Sequence, residues 1–314
     1  MMLVSIVIPV YNRAQIVKRT LQSVLEQTHR PLQVILVDNC SNDDTLLVLK
    51  DFQATCRDQN FTVEVAQEER HTAAAARNKG LAMATGKWVM FFDSDDVMHP
   101  TLIDTYVKAI EKAQDAVDIV VTKGKICFQD GRSRTLPYFH KDIMANHILH
   151  CILPTQRYIV RRDFFISCGR WNADILKWDD WETGLRLLLA KPRIKFIDKS
   201  LVTVFDSGRE SITGIEFSPC HKEWERTIDV MSEMMERTSI EGKSRFLTLL
   251  DFRRVLLAAH YEKEGRRDLA RQLYQATYPK FKEKPLQRQL IPLFYRYTAQ
   301  GRRGAARLAR FLIG

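Results

Sequence analysis

Val89-Met-Phe-Phe-Asp-Ser-Asp-Asp96 begins as an unbroken apolar run and ends in three carboxylates within four residues. Preceded by Gly86 and rich in Val and Phe, such a run predicts a strand covered on both faces of a sheet, where no alternation with polar residues is needed. The acidic end then lies at the strand's C-terminal edge, where open α/β sheets hold ligands. One aspartate there would serve as a cap for a helix opened by Pro100. Three repel one another and raise each other's pKa unless a cation sits among them. Hard carboxylate oxygens suit Mg²⁺ or Mn²⁺ carrying phosphate groups, so the expectation is a divalent ion that holds a nucleotide.

Around this stretch the first half of the chain alternates strand-like segments (4–10, 32–37, 61–66, 88–92) with helix-like ones (15–26, 43–54, 72–84, 101–113). That order predicts right-handed βαβ units in an α/β, doubly wound, mostly parallel sheet. Residues 118–128 and 134–138, joined through Asp130-Gly131, predict a hairpin that makes the sheet mixed. Strands over 158–161 and 196–205 flank a helix over 181–189. After about residue 217 the pattern turns wholly helical, over 223–236, 245–263, 269–278 and a last short helix at 302–312. The expected division is a catalytic domain over 1–215 and a basic helical C-terminal region over 216–314.

The 314 residues, 45% hydrophobic and 27% charged, are ordinary for a globular protein with an ample core. No apolar run approaches a membrane span and no signal sequence is visible, so a cytoplasmic protein is expected. The six cysteines form no C-x-x-C pair, which argues against a zinc knuckle or a disulfide framework. His147, His150 and Cys151 lack a second ligand pair and read as one packed helix. From Lys243 onward there are 17 Lys/Arg against 5 Asp/Glu, a charge of +12, within a chain whose total is +10. Such asymmetry calls for a polyanionic partner. Basic residues interleaved with aromatics on a sheet face, or a helix-turn-helix, would mark a nucleic-acid-binding protein, and neither is present. Arg302, Arg303, Arg307 and Arg310 beside Leu308, Phe311 and Leu312 instead compose a basic amphipathic helix suited to an anionic membrane surface, placing the protein peripherally at the inner face.

Four motifs then occur in a fixed order: Val4-Ser-Ile-Val-Ile-Pro-Val-Tyr-Asn-Arg13, Val34-Ile-Leu-Val-Asp-Asn-Cys-Ser-Asn-Asp-Asp-Thr45, Ala74-Ala-Ala-Arg-Asn-Lys-Gly80 and Phe92-Asp-Ser-Asp-Asp96. In order and spacing they resemble the inverting family 2 glycosyltransferases, and the resemblance covers residues 4–213. It implies a GT-A-like, nucleotide-sugar-transferase type of sheet, a nucleoside diphosphate sugar donor, UDP-linked, and Mn²⁺ or Mg²⁺. A glycan or lipid-linked acceptor in cell-surface polysaccharide synthesis is the expected recipient.

The resemblance also assigns residues. Pro9 closes the first strand, Tyr11 stacks on the base, and Asp38 accepts from its imide N–H. Taken singly, Tyr11 reads better as a loop aromatic covering the sheet and Asp38 as a helix cap; adjacent on one sheet edge, the two favour base binding. Asn39 stands where the family commonly has a second Asp. Arg77 leans toward the nucleotide, pairing with the diphosphate or with the aspartates of the metal loop. Asp93 faces the ribose, Asp95 ligates the metal, and Asp96 supports or shares it.

Lys177-Trp-Asp-Asp-Trp-Glu-Thr-Gly-Leu-Arg186 looks like the family's acidic pair ahead of a helix. There Asp180 matches the general base that takes the acceptor's proton, and Asp179 replaces a more usual Glu. Trp178 and Trp181 bracket the pair and are expected to offer indole faces to sugar rings. Arg209, within Phe205-Asp-Ser-Gly-Arg-Glu-Ser-Ile-Thr213, stands where a family loop closes over the diphosphate. A sugar-phosphate nucleotidyltransferase is the rival, but it needs a glycine-rich phosphate loop after the first strand, where this chain has Tyr-Asn-Arg.

Overall fold

The computed structural model describes residues 1–56, 58–114, 116–136, 138–206, 216–302, 304–306 and 309. The chain forms two compact units, Met1–Tyr138 with Leu153–Ser211, and Phe139–Ile152 with Ile212–Gly314.

The first unit is built on β1 (Val4–Val10), β2 (Leu32–Asp38), β3 (Phe61–Gln67) and β4 (Trp88–Phe91), parallel and ordered β3-β2-β1-β4. Helices α1 (Val17–Leu25), α2 (Thr45–Thr55) and α3 (Ala73–Met83) make the crossovers. Every residue of β2 and β4 is buried, as their continuous apolar runs require. Beyond β4 come the short β5 (Val97–Met98), α4 (Leu102–Lys112), β6 (Ile119–Cys127), β7 (Ser133–Thr135), β8 (Tyr158–Arg161), α6 (Arg162–Ser167), α7 (Asp179–Leu189) and β9 (Ile194–Phe205); α5 lies in the second unit. β8 runs antiparallel between β4 and β6, while β9 lies parallel to β6, so the sheet is mixed.

A proline near the end of a central strand is unusual, because it removes a ladder donor. Val10 accepts from Asn39 N–H on the β2 side and Val7 accepts from Phe92 N–H on the β4 side. By alternation, Pro9 turns its missing N–H toward β4, whose pairing with β1 stops at Val7. No ladder bond is lost there.

Helix α3 begins with Thr72, whose Oγ1 accepts the Ala75 N–H at 3.1 Å. Its run of alanines lets it lie close to the sheet, and closest at Gly80, where an added Cβ would come within 2.3 Å of a Val7 methyl. Gly80→Ala should therefore destabilise the protein by roughly 1–3 kcal/mol, the usual scale of overpacking. Urea denaturation checks this, with the exposed Ala82→Ser as a control expected to change stability by less than about 0.5 kcal/mol.

The second unit is helical: α5 (Ile143–His150), α8 (His221–Arg237), α9 (Lys243–Lys263), α10 (Arg267–Thr277) and α11 (Pro285–Ala299). Long α9 supplies its core through Leu249, Phe252, Val255 and Leu256. The buried Arg254 is held at 2.7 Å by both Asp229 and Asp251. The sequence pattern did not predict α11, which contains two prolines. Pro285 sits at the first turn, where a missing N–H costs nothing. Pro292 cannot donate to the Arg288 carbonyl, and the Tyr278 hydroxyl donates to it instead at 3.5 Å. Ala305 and Ala309 are buried. The remaining residues expected to make the last helix amphipathic, Arg303, Arg307, Leu308, Arg310, Phe311 and Leu312, lie outside the described residues. Among the described residues no helix is long and apolar enough to cross a membrane.

Candidate active site

The C-terminal ends of β1, β2 and β4 bring the first, second and fourth motifs to one edge of the sheet, with Val10 in register with Asp38. The loops after β1 and β2 clasp each other. Asn12 N–H donates to Ser41 Oγ at 3.0 Å, Arg13 N–H to Thr45 Oγ1 at 2.8 Å, and Ala14 N–H to Asp43 Oδ2 at 3.3 Å. In return Asn42 N–H donates to Asn12 Oδ1 at 2.9 Å. The left-handed backbone of Asn12, φ 49°, suits an Asn at this bend.

Within this frame Asp38 is fully buried. Its Oδ2 accepts from Ser41 N–H and from Gln67 Nε2, each at 3.4 Å, whereas Oδ1 has no partner. A buried carboxylate oxygen with no donor is costly unless a ligand supplies one. Tyr11 is half exposed beside it, its ring edge-on to His71 at 6.1 Å. Asn39 does not face a ligand: its Nδ2 donates to the Glu68 and Arg70 carbonyls at 3.0 and 2.8 Å.

Arg77 occupies the centre. Only 7% of its side chain is exposed, and its guanidinium reaches Asp179 at 2.6 Å and Asp93 at 2.9 Å. Burial alone would lower its pKa, but Asp179 and Asp93 outweigh that and raise it. Its plane lies over the Trp171 indole, 4.6 Å to the centroid. Trp171 is in turn bracketed by Asn78, which donates to its carbonyl at 2.8 Å and accepts its N–H at 3.1 Å. Of the metal-loop aspartates expected as partners, Arg77 holds Asp93, and it holds Asp179 of α7 besides.

The three carboxylates after β4 differ in aim. Asp93 pairs with Arg77. Asp96 is buried, accepting from Phe205 N–H at 3.2 Å and from the Gln156 side chain, so it ties β9 to the loop. Burial first, then Asp93 and Asp95, push its pKa well above the ordinary carboxylate range. Asp95 is raised by burial and by Asp93, with Arg13 and Arg19 pulling the other way. The excess negative charge is thus only partly met by arginine. Among the described residues no three His, Cys, Asp or Glu side chains converge as a metal cage. Any ion at Asp95 would therefore need ligand oxygens from its cargo.

Helix α7 starts at Asp179, whose Oδ1 accepts Asp180 N–H at 3.1 Å while Asp180 Oδ1 accepts Trp181 N–H at 2.8 Å. Both carboxylates profit from the helix N-terminus. The tryptophans part company: Trp178 is partly exposed in a left-handed conformation, φ 55°, but Trp181 is only 2% exposed. Trp181 packs edge-on to Trp178 at 5.2 Å and has no face to offer a sugar. Arg209 lies outside the described residues.

Sequence reasoning overlooked Arg19, which donates to the Asp95 carbonyl and covers the Phe205 ring at 4.0 Å, and Gln156 behind Asp96. Nothing local signals either, since their partners lie far along the chain. Arg13, adjacent to the Tyr-Asn pair, was within reach.

The chain is similar to known proteins in sequence and in fold. Along 278 residues the chain is 26% identical to the glycosyltransferase GlyG of Streptococcus pneumoniae, covering 81% of this chain and 89% of that one. It spans less of other curated relatives, 58% of one and 17% of another. In fold it is similar to Staphylococcus aureus TarS 1–349 in complex with UDP-GlcNAc, with TM-score 0.74, 19% identity and coverage of 96% and 88% of the two chains. A mannosyltransferase from Pyrobaculum calidifontis, in complex with GDP-Man and Mn²⁺, shares the fold at TM-score 0.56 and 18% identity, with coverage of 98% and 86%. Residues 5–167 match the model of glycosyl transferase family 2, and the chain belongs to that family.

Proposed function

We propose that the protein transfers a sugar from a UDP-sugar, with inversion, to a glycan or lipid-linked acceptor of a cell-surface polysaccharide, working peripherally at the inner face of a membrane. The observation that carries the donor reading is the single uncommitted oxygen of Asp38 beside the exposed Tyr11 ring. Uracil presents one imide N–H, which one acceptor satisfies. Guanine presents an N–H and an amino group side by side and would leave one donor unpaired, a loss of about 1–3 kcal/mol. The TarS and mannosyltransferase structures hold a uridine and a guanosine nucleotide respectively, so the base is decided by local chemistry rather than by fold.

Asp95 and Asp96 fit a divalent ion, because burial first and neighbouring carboxylates second raise their pKa values, and a cation among them would offset both. Asp95 would hold it, with Asp96 fixing the loop from behind. When bound, Mn²⁺ or Mg²⁺ supplies Lewis-acid stabilisation of the departing diphosphate. Asp93, held by Arg77, stands toward the ribose. Asp180 takes the proton of the attacking acceptor hydroxyl at its carboxylate, and Trp178 lines the approach. The +12 charge after Lys243 supports an anionic membrane partner.

Calorimetric titration tests the donor site. UDP should bind more tightly with Mn²⁺ than without, and more tightly than GDP. Asp95→Asn should remove most of the metal-dependent gain while leaving the fold intact. Because burial and neighbouring carboxylates raise Asp95 and Asp96 from the ordinary carboxylate value, that gain should shrink on acidification sooner than it would with ordinary carboxylates. Equal affinity with and without Mn²⁺ would remove the metal, and equal affinity for GDP would remove the uracil reading.

A further inference from the structure

Helix α11 packs through Ile291, Phe294 and Thr298. Leu286 and Leu293 stay outside that contact, 56% and 60% exposed, and are the most exposed large apolar side chains described in the second unit. Seven residues apart, they lie on one side of the helix about 10 Å from each other. Leu290 and Tyr297, partly exposed, fall in the same stripe. The surrounding segment is strongly basic: from Arg266 to Arg302 there are nine Lys/Arg against two Asp/Glu, and eight of the nine are exposed. Lys282, Arg288, Arg296 and Arg302 belong to α11 or its flanks.

Three occupants could cover such a stripe. A second copy of the chain would set like charges against like charges across two leucines, an area far below the roughly 1,000 Å² of a stable interface. A soluble polyanion would match the cations but leave the leucines in water. An anionic bilayer meets both, with headgroups for the cations and an acyl boundary for the leucines. We propose that α11 is the membrane-contact element, with Leu286 and Leu293 entering the headgroup–acyl boundary of an anionic bilayer and the neighbouring guanidinium and ammonium groups pairing with lipid headgroups. This rests on the lipid-linked-acceptor reading for its purpose alone. Vesicle binding needs neither donor nor acceptor, and UDP binding needs no vesicle, so either reading can fail without the other.

The test is sedimentation of the full chain with vesicles of phosphatidylcholine, or of phosphatidylcholine with about one third phosphatidylglycerol. The protein should pellet with the anionic vesicles only and release in high salt. Leu286→Ser with Leu293→Ser should weaken vesicle binding about tenfold with circular dichroism and UDP affinity unchanged. Arg296→Gln with Arg302→Gln, the latter guanidinium lying over the Tyr297 ring of the stripe, should weaken it and flatten its salt dependence. Three results would overturn the proposal: no pelleting with anionic vesicles, wild-type binding by the double-leucine variant, or self-association in solution that the leucine substitutions abolish.

Discussion

Asp180→Asn should leave UDP affinity within about twofold of wild type and lower sugar transfer by about two to four orders of magnitude, the scale on which a positioned base acts. The reason for choosing Asp180 over its neighbour lies in how Asp179 is held. One Asp179 oxygen pairs with Arg77 at 2.6 Å and the other accepts the Asp180 N–H at 3.1 Å. With one oxygen tied to a buried guanidinium and the other to a backbone N–H, Asp179 is committed to the fold rather than to an incoming hydroxyl. Asp180, one residue further into the first turn of α7, accepts the Trp181 N–H at 2.8 Å and sits at the helix N-terminus, which favours a carboxylate there. Paired measurements of transfer and calorimetric UDP binding decide the matter. If Asp179→Asn loses transfer with donor affinity intact while Asp180→Asn stays active, the base is the earlier residue.

Arg77→Met should produce the largest loss of stability of any substitution at the site, about 3 kcal/mol. Removing one partner of a buried ion pair costs roughly 3–5 kcal/mol, because the remaining charges lose their compensation. Here two carboxylates are abandoned, but Asp93 and Asp179 retain 30% and 21% side-chain exposure, so water offsets part of the loss. Arg77→Lys should recover little, since one ammonium cannot fork between two aspartates while covering the Trp171 ring. Adding Asp179→Asn to Arg77→Met should restore part of the stability. Chemical denaturation measures all of these, and an unchanged midpoint for Arg77→Met would remove the guanidinium's structural role.

Much of the fold was legible because the strands that make it have no polar face. β1, β2 and β4 are covered on both sides, and a continuous apolar run followed by Asp is a local signal that survives without knowledge of neighbours. The carboxylates at the ends of β2 and β4 were legible for the same reason. Arg77's burial was not, for its partner Asp179 lies 102 residues away and no periodicity joins them. Trp181 was misjudged by its acidic neighbours. Spacing would have served better, since Trp181, Leu185 and Leu188 stand at i, i+4 and i+7 and form the buried side of α7. α11 was hidden by Pro285 and Pro292, which break a helical reading in sequence yet cost little at a first turn and beside a compensating hydroxyl.

Four hydrogen bonds hold the loop after β1 to the loop after β2, and every one of them is made within the protein itself. A flat ring arriving at Tyr11 and Asp38, as proposed, would meet two loops that already brace each other. The conformational freedom of both loops was given up when the chain folded, so little more is lost when the ring lands. A braced frame of this kind would judge its visitor as a gauge judges a part, by outline and by one hydrogen, where a pliant loop would remould itself around several different bases.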